Sequence, residues 1–321
     1  MPVRFGALAA TPAAQSDSRA QRLLWRALER SAGVIGPRAA RAIAAGVMRA
    51  AARTERGFTK GLYRVARRHP VPMPGLYTLP EAWWTTAPRV SAHRLGLDLE
   101  LDLRDNLQRT LYFTGTYEPG LVRLLDAELR RGDVVVDVGA HVGVHALGAA
   151  RRLRALGGGR VVAFEPTSDS AGAVRAAAAR NGLAVEVVEA ALGEEQGIVE
   201  LFAGAPYGAH DAGVRSQFGD GEPAGRAPVT TLDAWAAANG LDRLDVVKLD
   251  IEGAEILALR GARATLTRLR PRLLAIEVKD VVMARGPGDE ATLRALLDDC
   301  GYAPAGEPER HIALFRPARR A

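Results

Sequence analysis

Apolar positions follow two rhythms along this chain, and the alternation between them predicts its fold. Short unbroken runs at Val134–Val138, Val161–Phe164, Ala184–Val188, Asp245–Asp250 and Leu273–Val278 are bounded by turn residues. Runs of that kind are strands buried on both faces, as in a parallel sheet. Between them apolar residues recur every three or four positions. This predicts helices over Gly120–Arg131, Val144–Leu156 and Ser168–Asn181, a short one from Thr231, one from Glu252, and one over Glu290–Cys300. Gly157–Gly159, Asn181-Gly182 and Gly301 supply stops, and Ile312–Phe315 reads as the last strand. Strands alternating with helices make a doubly wound, Rossmann-like α/β sheet.

Other stretches keep different patterns. Arg94–Arg104 alternates apolar and polar residues, which predicts an antiparallel strand with one wet face. Asp105-Asn106 then reads as a turn and Leu111-Tyr112-Phe113 as the return strand. Glu189–Glu194 reads as a turn, Gly197–Phe202 as an extra strand, and Ala203–Pro228, rich in glycine and proline, as one long loop. Upstream, Asp17–Ala32 and Pro37–Arg56 have helical spacing, and His69–Gly75 places three prolines in seven residues, a linker. We therefore divide the chain into a helical extension with its linker, residues 1–74, and an α/β domain, residues 75–321.

Charge sharpens that division. Residues 1–68 hold 14 Arg and Lys against 3 Asp and Glu, so they carry +11, and the other 253 residues carry −5 of the chain's net +6. A basic arm suits nucleic acid, an anionic membrane surface or an acidic protein partner, although Ala- and Arg-rich stretches also arise from GC-rich coding. Met1–Gln15 has no sustained apolar core of a signal peptide, and no run approaches ~18 apolar residues, so a cytoplasmic protein is expected. Cys300 is the only cysteine, which excludes an internal disulfide and a cysteine-built metal site.

The chemistry gathers where strands end. Asp133–Gly143 is a strand that turns through Gly139 and Gly143 into a helix, bringing backbone N–H groups and a helix N-terminus up to a ligand. Glu165 ends the next strand, where an acid suits the two hydroxyls of an adenosine ribose. Asp137, Glu165, Asp250 and Glu277 all end strands, and ligands of open parallel sheets lie beyond that edge. His141 and His145 stand four apart, as helical metal ligands do, but no Glu follows His141 and we read no metal there.

Asp245-Val-Val-Lys-Leu-Asp-Ile-Glu-Gly-Ala-Glu255, with Leu257 and Arg260-Gly-Ala262, resembles the signature of the FkbM family of S-adenosylmethionine-dependent methyltransferases. Asp133–Gly143, Phe164-Glu-Pro166, Ala190-Ala-Leu-Gly193, Thr231-Leu-Asp-Ala-Trp235 and Tyr117-Glu-Pro119 follow in keeping with it, over roughly residues 95–316. His141 departs from the family's usual Asn but can still donate a hydrogen bond. The resemblance implies a seven-strand methyltransferase sheet with its last strand antiparallel. It also implies that Tyr117, Asp137, Gly139, His141 and Gly143 surround the methionine end of S-adenosylmethionine. Glu165 would grip the ribose, Ala191 and Leu192 would lie against the adenine, and Asp250 would orient the cofactor. The expected acceptor is a hydroxyl of a sugar, polyketide or similar natural product.

Methylating an alcohol also demands that its proton be removed as the bond forms, a general-base task. Asp250 and Glu252, just beyond a buried strand, are the first candidates, with Asp250 preferred, and His210, beside Asp211 in the long loop, is the next. Magnesium held by Asp250, Glu252 and Glu277 is conceivable but not favoured. A dehydrogenase is disfavoured because Gly139-Ala-His-Val-Gly143 is not Gly-x-Gly-x-x-Gly. A base-modifying enzyme is disfavoured because Asp250-Ile-Glu-Gly253 puts acid where phosphate would approach. Protein methylation through the basic arm and a non-catalytic nucleotide-binding role are the further alternatives.

Overall fold

The central strand, β3 (Val134–Val138), is apolar at four of five positions and has neighbours on both sides. In the computed structural model, which describes residues 89–203, 215–218, 222–279 and 286–318, it is an inner strand of a seven-stranded sheet. On one side lie β4 (Arg160–Phe164) and β5 (Glu186–Val188), and on the other β10 (Val246–Leu249) and β11 (Leu273–Glu277), all parallel. β13 (Ile312–Pro317) closes the order antiparallel to both β11 and the edge strand β12 (Tyr302–Glu309). The expected sheet, with a last strand running the other way, is therefore present. Helices α3 (Val144–Ala155), α4 (Ser168–Arg180), α5 (Leu232–Ala238), α6 (Glu255–Arg260), α7 (Arg263–Leu269) and α8 (Glu290–Asp299) connect the strands. Val136, Val162, Leu249, Leu274 and Ile276 are buried in the main core with Leu259, Leu293 and Leu297. Phe164 and Trp235 meet edge to face at 5.3 Å within it. No helix among the described residues is long and apolar enough to cross a membrane.

Several sequence expectations need correction. The alternating run Arg94–Arg104 is not one strand but part of a hairpin, β1 (Arg89–Arg94) and β2 (Leu97–Asp102). Leu95 and Gly96 both have positive φ, the two-residue turn whose twist matches a hairpin. Leu111-Tyr112-Phe113 is not a return strand: it lies in helix α1 (Asn106–Thr114), and α2 (Pro119–Glu128) follows. Asp105 is that helix's N-cap, accepting from the Gln108 N–H at 2.9 Å, and Gly115 ends it in the left-handed conformation. An Asp-Asn pair serves caps as well as turns, and here the cap prevailed.

The stretch Ala203–Pro228 is not all loop. β9 (Pro223–Thr230) pairs antiparallel with β7 (Gly197–Ala203) and parallel with the two-residue β6 (Ala191–Leu192), inside the expected Glu189–Glu194 turn. β8 (Arg215–Ser216) completes this second sheet. β12 was hidden by Pro304, Gly306 and Pro308, residues tolerated at a bulged sheet edge. No helix starts at Glu252: Glu252 and Gly253 have φ of +55° and +105°, and α6 begins at Glu255. The helices expected at Asp17–Ala32 and Pro37–Arg56, the Pro-rich linker, and His210 with Asp211 lie outside the described residues.

Acids occur at both edges of the sheet, and their partners tell the edges apart. At the N-terminal edge Asp133, fully buried, pairs with Arg243 and Arg272, and Arg272 also reaches Asp245 at 3.2 Å. Arginine forks saturate these carboxylates. At the C-terminal edge the acids keep company with glycines, two lysines and two histidines.

Candidate functional site

The site starts where β3 stops. Gly139 has φ +76°, and a Cβ there would fall 1.9 Å from the Asp250 carbonyl oxygen, so only glycine lets the loop after β3 touch the loop after β10. Gly143, with φ +82°, caps α3. Between them His141 holds φ +52°, a left-handed conformation uncommon for a side-chain-bearing residue. Its backbone N–H donates to Glu165 Oε2 at 2.8 Å, and its ring Nε2 lies 2.8 Å from Asp105 Oδ2. The other oxygen of Glu165 accepts from the backbone N–H and hydroxyl of Thr167, at 3.0 and 2.7 Å. Glu165 therefore ties the ends of β3 and β4 together and keeps acceptor capacity at Oε2 for one further donor.

His145, the second residue of α3, places Nε2 2.9 Å from Glu118, and the Tyr117 ring centroid is 6.5 Å from its own. The two histidines thus engage separate carboxylates, Asp105 and Glu118, on the segment preceding the sheet, rather than converging on one metal position. Burial would raise the Asp105 carboxyl, but His141 and the Gln108 amide outweigh it and hold it below its usual range. Burial, with Glu118 and Asp250 close by, pushes the Tyr117 phenol up.

Lys248 sits inside β10 with its side chain buried and joins the two loops. Its ammonium donates to the Gly139 carbonyl at 2.9 Å and lies 3.3 Å from Asp137 and 3.6 Å from Asp250. Burial opposes its charge, but Asp137, Asp250 and Glu118 outweigh that and raise its pKa. Asp137, 1% exposed, has both carboxylate oxygens without a hydrogen bond among the described residues. Asp250 also feels Lys279, the second ammonium. Burial would push its carboxyl up, yet the two lysines hold it at about 2.

Across the opening, Glu277 at the end of β11 goes the other way, pushed well above the ordinary range by burial and then by Asp250. Acids that share a small volume are commonly pushed apart in this way. Carboxylate oxygens of Glu118, Asp250 and Glu277 lie within 4.8 Å of one another. Lys279 pairs with Glu277 and reaches Glu252 at 3.5 Å. All three acids weighed as magnesium ligands thus already face an ammonium, Asp250 that of Lys248 and Glu252 and Glu277 that of Lys279. The Ser216 hydroxyl of β8 donates to the Glu252 carbonyl at 2.9 Å, tying the second sheet to this turn.

Tyr117, Asp137, Gly139, His141, Gly143, Glu165 and Asp250 thus come together along one sheet edge with Glu252 beside them, and Ala191-Leu192 form β6, paired with β9. Sequence reasoning missed Asp105, Lys248, Lys279 and Ser216. Lys248 carried a readable signal: a lysine inside an otherwise apolar strand must find buried partners.

A family model described as the methyltransferase FkbM domain matches residues 137–304, just over half of the chain. Among solved structures, the chain is similar to a methyltransferase FkbM from Methylobacillus flagellatus KT, at 21% identity over 66% of this chain and 55% of that one, with a TM-score of 0.39. It is also similar to the T. thermophilus 16S rRNA N2 G1207 methyltransferase in complex with AdoMet and guanosine, at 17% identity over 72% and 50%, TM-score 0.39. A third is the Pyrococcus abyssi tRNA (uracil-54, C5)-methyltransferase in complex with S-adenosyl-L-homocysteine, at 13% identity over 71% and 43%, TM-score 0.39. The matches thus span roughly half of each of these proteins. No curated protein matches the chain.

Proposed function

The chain belongs to the FkbM methyltransferase family, and from that premise we propose that residues 75–321 transfer a methyl group from S-adenosylmethionine to a hydroxyl of a small molecule or glycan. The observation that carries this reading is the Gly139–Gly143 loop with Asp137 beneath it. The loop tolerates no Cβ at Gly139, and Asp137 presents a buried carboxylate that faces the Lys248 ammonium at 3.3 Å through Oδ1 and still has Oδ2 without a hydrogen bond among the described residues. A ligand with an ammonium group satisfies such an acid, and the methionine end of S-adenosylmethionine has one. The residues therefore fit this cofactor: Asp137, Tyr117 and the His141 loop at the methionine end, Glu165 Oε2 on one ribose hydroxyl, and Ala191 and Leu192 near the adenine. When bound, it supplies a methyl group already activated on a sulfonium.

The protein's share is alignment and proton removal. Asp250, held at about 2 by its two lysines, is a weak base but a fixed negative charge, suited to positioning. Glu252, on the same turn and partly open to solvent, is the better proton acceptor of the pair. This reverses the preference drawn from sequence order alone. His210 is next in line. Lys279, between Glu252 and Glu277, makes a magnesium-assisted route unnecessary.

Calorimetry tests the cofactor. S-adenosylhomocysteine should bind and NAD should not, and Glu165→Ala should weaken binding by roughly 1.5–3 kcal/mol, the scale of a charged hydrogen bond. Unchanged affinity in a folded Glu165→Ala protein would refute the ribose assignment.

A further inference from the structure

The turn carrying Asp250 and Glu252 is held in an unusual shape. Glu252 and Gly253 both have positive φ before α6 starts. Glu255, 2% exposed, folds its carboxyl back under this turn: Oε1 accepts from the Ile251 N–H at 2.9 Å and Oε2 from the Gly253 N–H at 3.0 Å. From the other side, Ser216 donates to the Glu252 carbonyl. The first residue of the turn presses its carbonyl oxygen onto Gly139, into the space a Cβ would take. Any shift of this turn therefore reaches the glycine loop.

We propose that Glu255 is a positioning residue: its ionised carboxylate locks the Asp250–Gly253 turn against the Gly139–Gly143 loop, and its protonation loosens both. The link to affinity rests on reading that loop as the cofactor site. Two amide N–H groups share this carboxylate, the Gly253 N–H reaching both of its oxygens, and its charge strengthens each bond. A protonated carboxyl loses that charge assistance and turns one oxygen into a hydroxyl, a poorer acceptor, so the turn is held less tightly. Burial pushes this carboxyl up to about 7, and Asp250 and Glu252 add to the shift, so the change falls within an ordinary working range.

Most other charges around the turn are paired among the described residues. Lys248 of β10 is engaged by Asp137 and Asp250, Lys279 beyond β11 by Glu277 and Glu252, and His145 of α3 by Glu118 of α2. On α8, which packs against α6, Arg294 pairs with Glu290 and Asp299 with Arg263, and Asp298 follows them.

The test is the affinity of S-adenosylhomocysteine, measured by calorimetry on the full chain between about pH 6 and about pH 8. For the native protein it should rise roughly tenfold as Glu255 ionises, the effect of one charge-assisted bond. Glu255→Gln, neutral throughout, should bind with less than about twofold variation. A pH dependence in Glu255→Gln equal to the native one would overturn the proposal and point to His141 or His145. Amide exchange on the unliganded native protein gives a second readout that needs neither the variant nor the ligand. Protection at Ile251 and Gly253, corrected for intrinsic exchange, should rise roughly tenfold over the same interval. Equal protection at both ends would overturn the proposal, whereas that rise with no S-adenosylhomocysteine binding would uphold the lock and overturn the cofactor reading instead.

Discussion

Replacing Lys248 with methionine removes the cation that, among the described residues, touches both loops of the site, while keeping the length and bulk of the side chain. Its ammonium serves the Gly139 carbonyl at 2.9 Å and the carboxylates of Asp137 and Asp250 at 3.3 and 3.6 Å, and the Lys248 and Asp137 side chains are only 5% and 2% exposed. Breaking a buried pair from one side leaves an uncompensated charge and costs about 3–5 kcal/mol. For a domain of this size that corresponds to roughly 6–20 °C in Tm. The pH dependence carries a sign that simple loss of packing lacks. In the native protein Asp250, lowered to about 2, contributes stability that is complete above its ordinary value of 3.8 and is lost as pH falls through about 2. Without Lys248, burial acts on Asp250 with less opposition and raises its carboxyl from that low value. Once the carboxyl is raised, its contribution is most favourable at acid pH and is lost as pH rises through the raised value. Urea unfolding at about pH 7 and about pH 5 should therefore show a penalty for Lys248→Met that shrinks at the lower pH. A penalty below about 1 kcal/mol, or one equal at the two pH values, would refute the electrostatic account.

How legible the site was depended on whether a residue's partner lay close in sequence. The parallel strands β3, β4, β10 and β11 announced themselves as valine and leucine runs, because burial on both faces leaves no polar alternation to confuse the pattern. The acids ending those strands followed from topology, since strands of one direction deliver their C-terminal residues to one edge. The helix α1 was lost because Asp105-Asn106 satisfies the chemistry of a turn and of an N-cap alike. What decided was the fit of Leu111 and Tyr112 into the core beneath the hairpin, a tertiary fact. The pairings His141–Asp105, Lys248–Asp137 and Lys279–Glu277 join residues 36, 111 and 2 positions apart. The last pair is near in sequence and was still unread, because Lys279 only faces Glu277 and Glu252 once β11 is set beside β10. The weak-base character of Asp250 arises from the two lysines together, so order along the chain could rank it first as a base while geometry ranks it second.

Two further outcomes test the site. Gly139→Ala places a Cβ 1.9 Å from the Asp250 carbonyl oxygen at a φ of +76°, so cofactor binding should be lost in calorimetry, and native affinity would show that the two loops do not touch as described. The proton acceptor is assigned by comparing Asp250→Asn with Glu252→Gln, which keep shape and remove charge. If Glu252 takes the proton, Glu252→Gln should lower kcat by ~10²–10⁴ with cofactor affinity near native. Asp250→Asn should lower affinity and rate together, because its fixed charge sits between Lys248 and Lys279 and its loss disturbs both. A role for magnesium predicts a different pattern, in which EDTA abolishes turnover by the native enzyme and added magnesium restores it. Undiminished kcat in Glu252→Gln, with a drop confined to Asp250→Asn at native cofactor affinity, would return the base to Asp250. Full turnover by both variants would move it to His210.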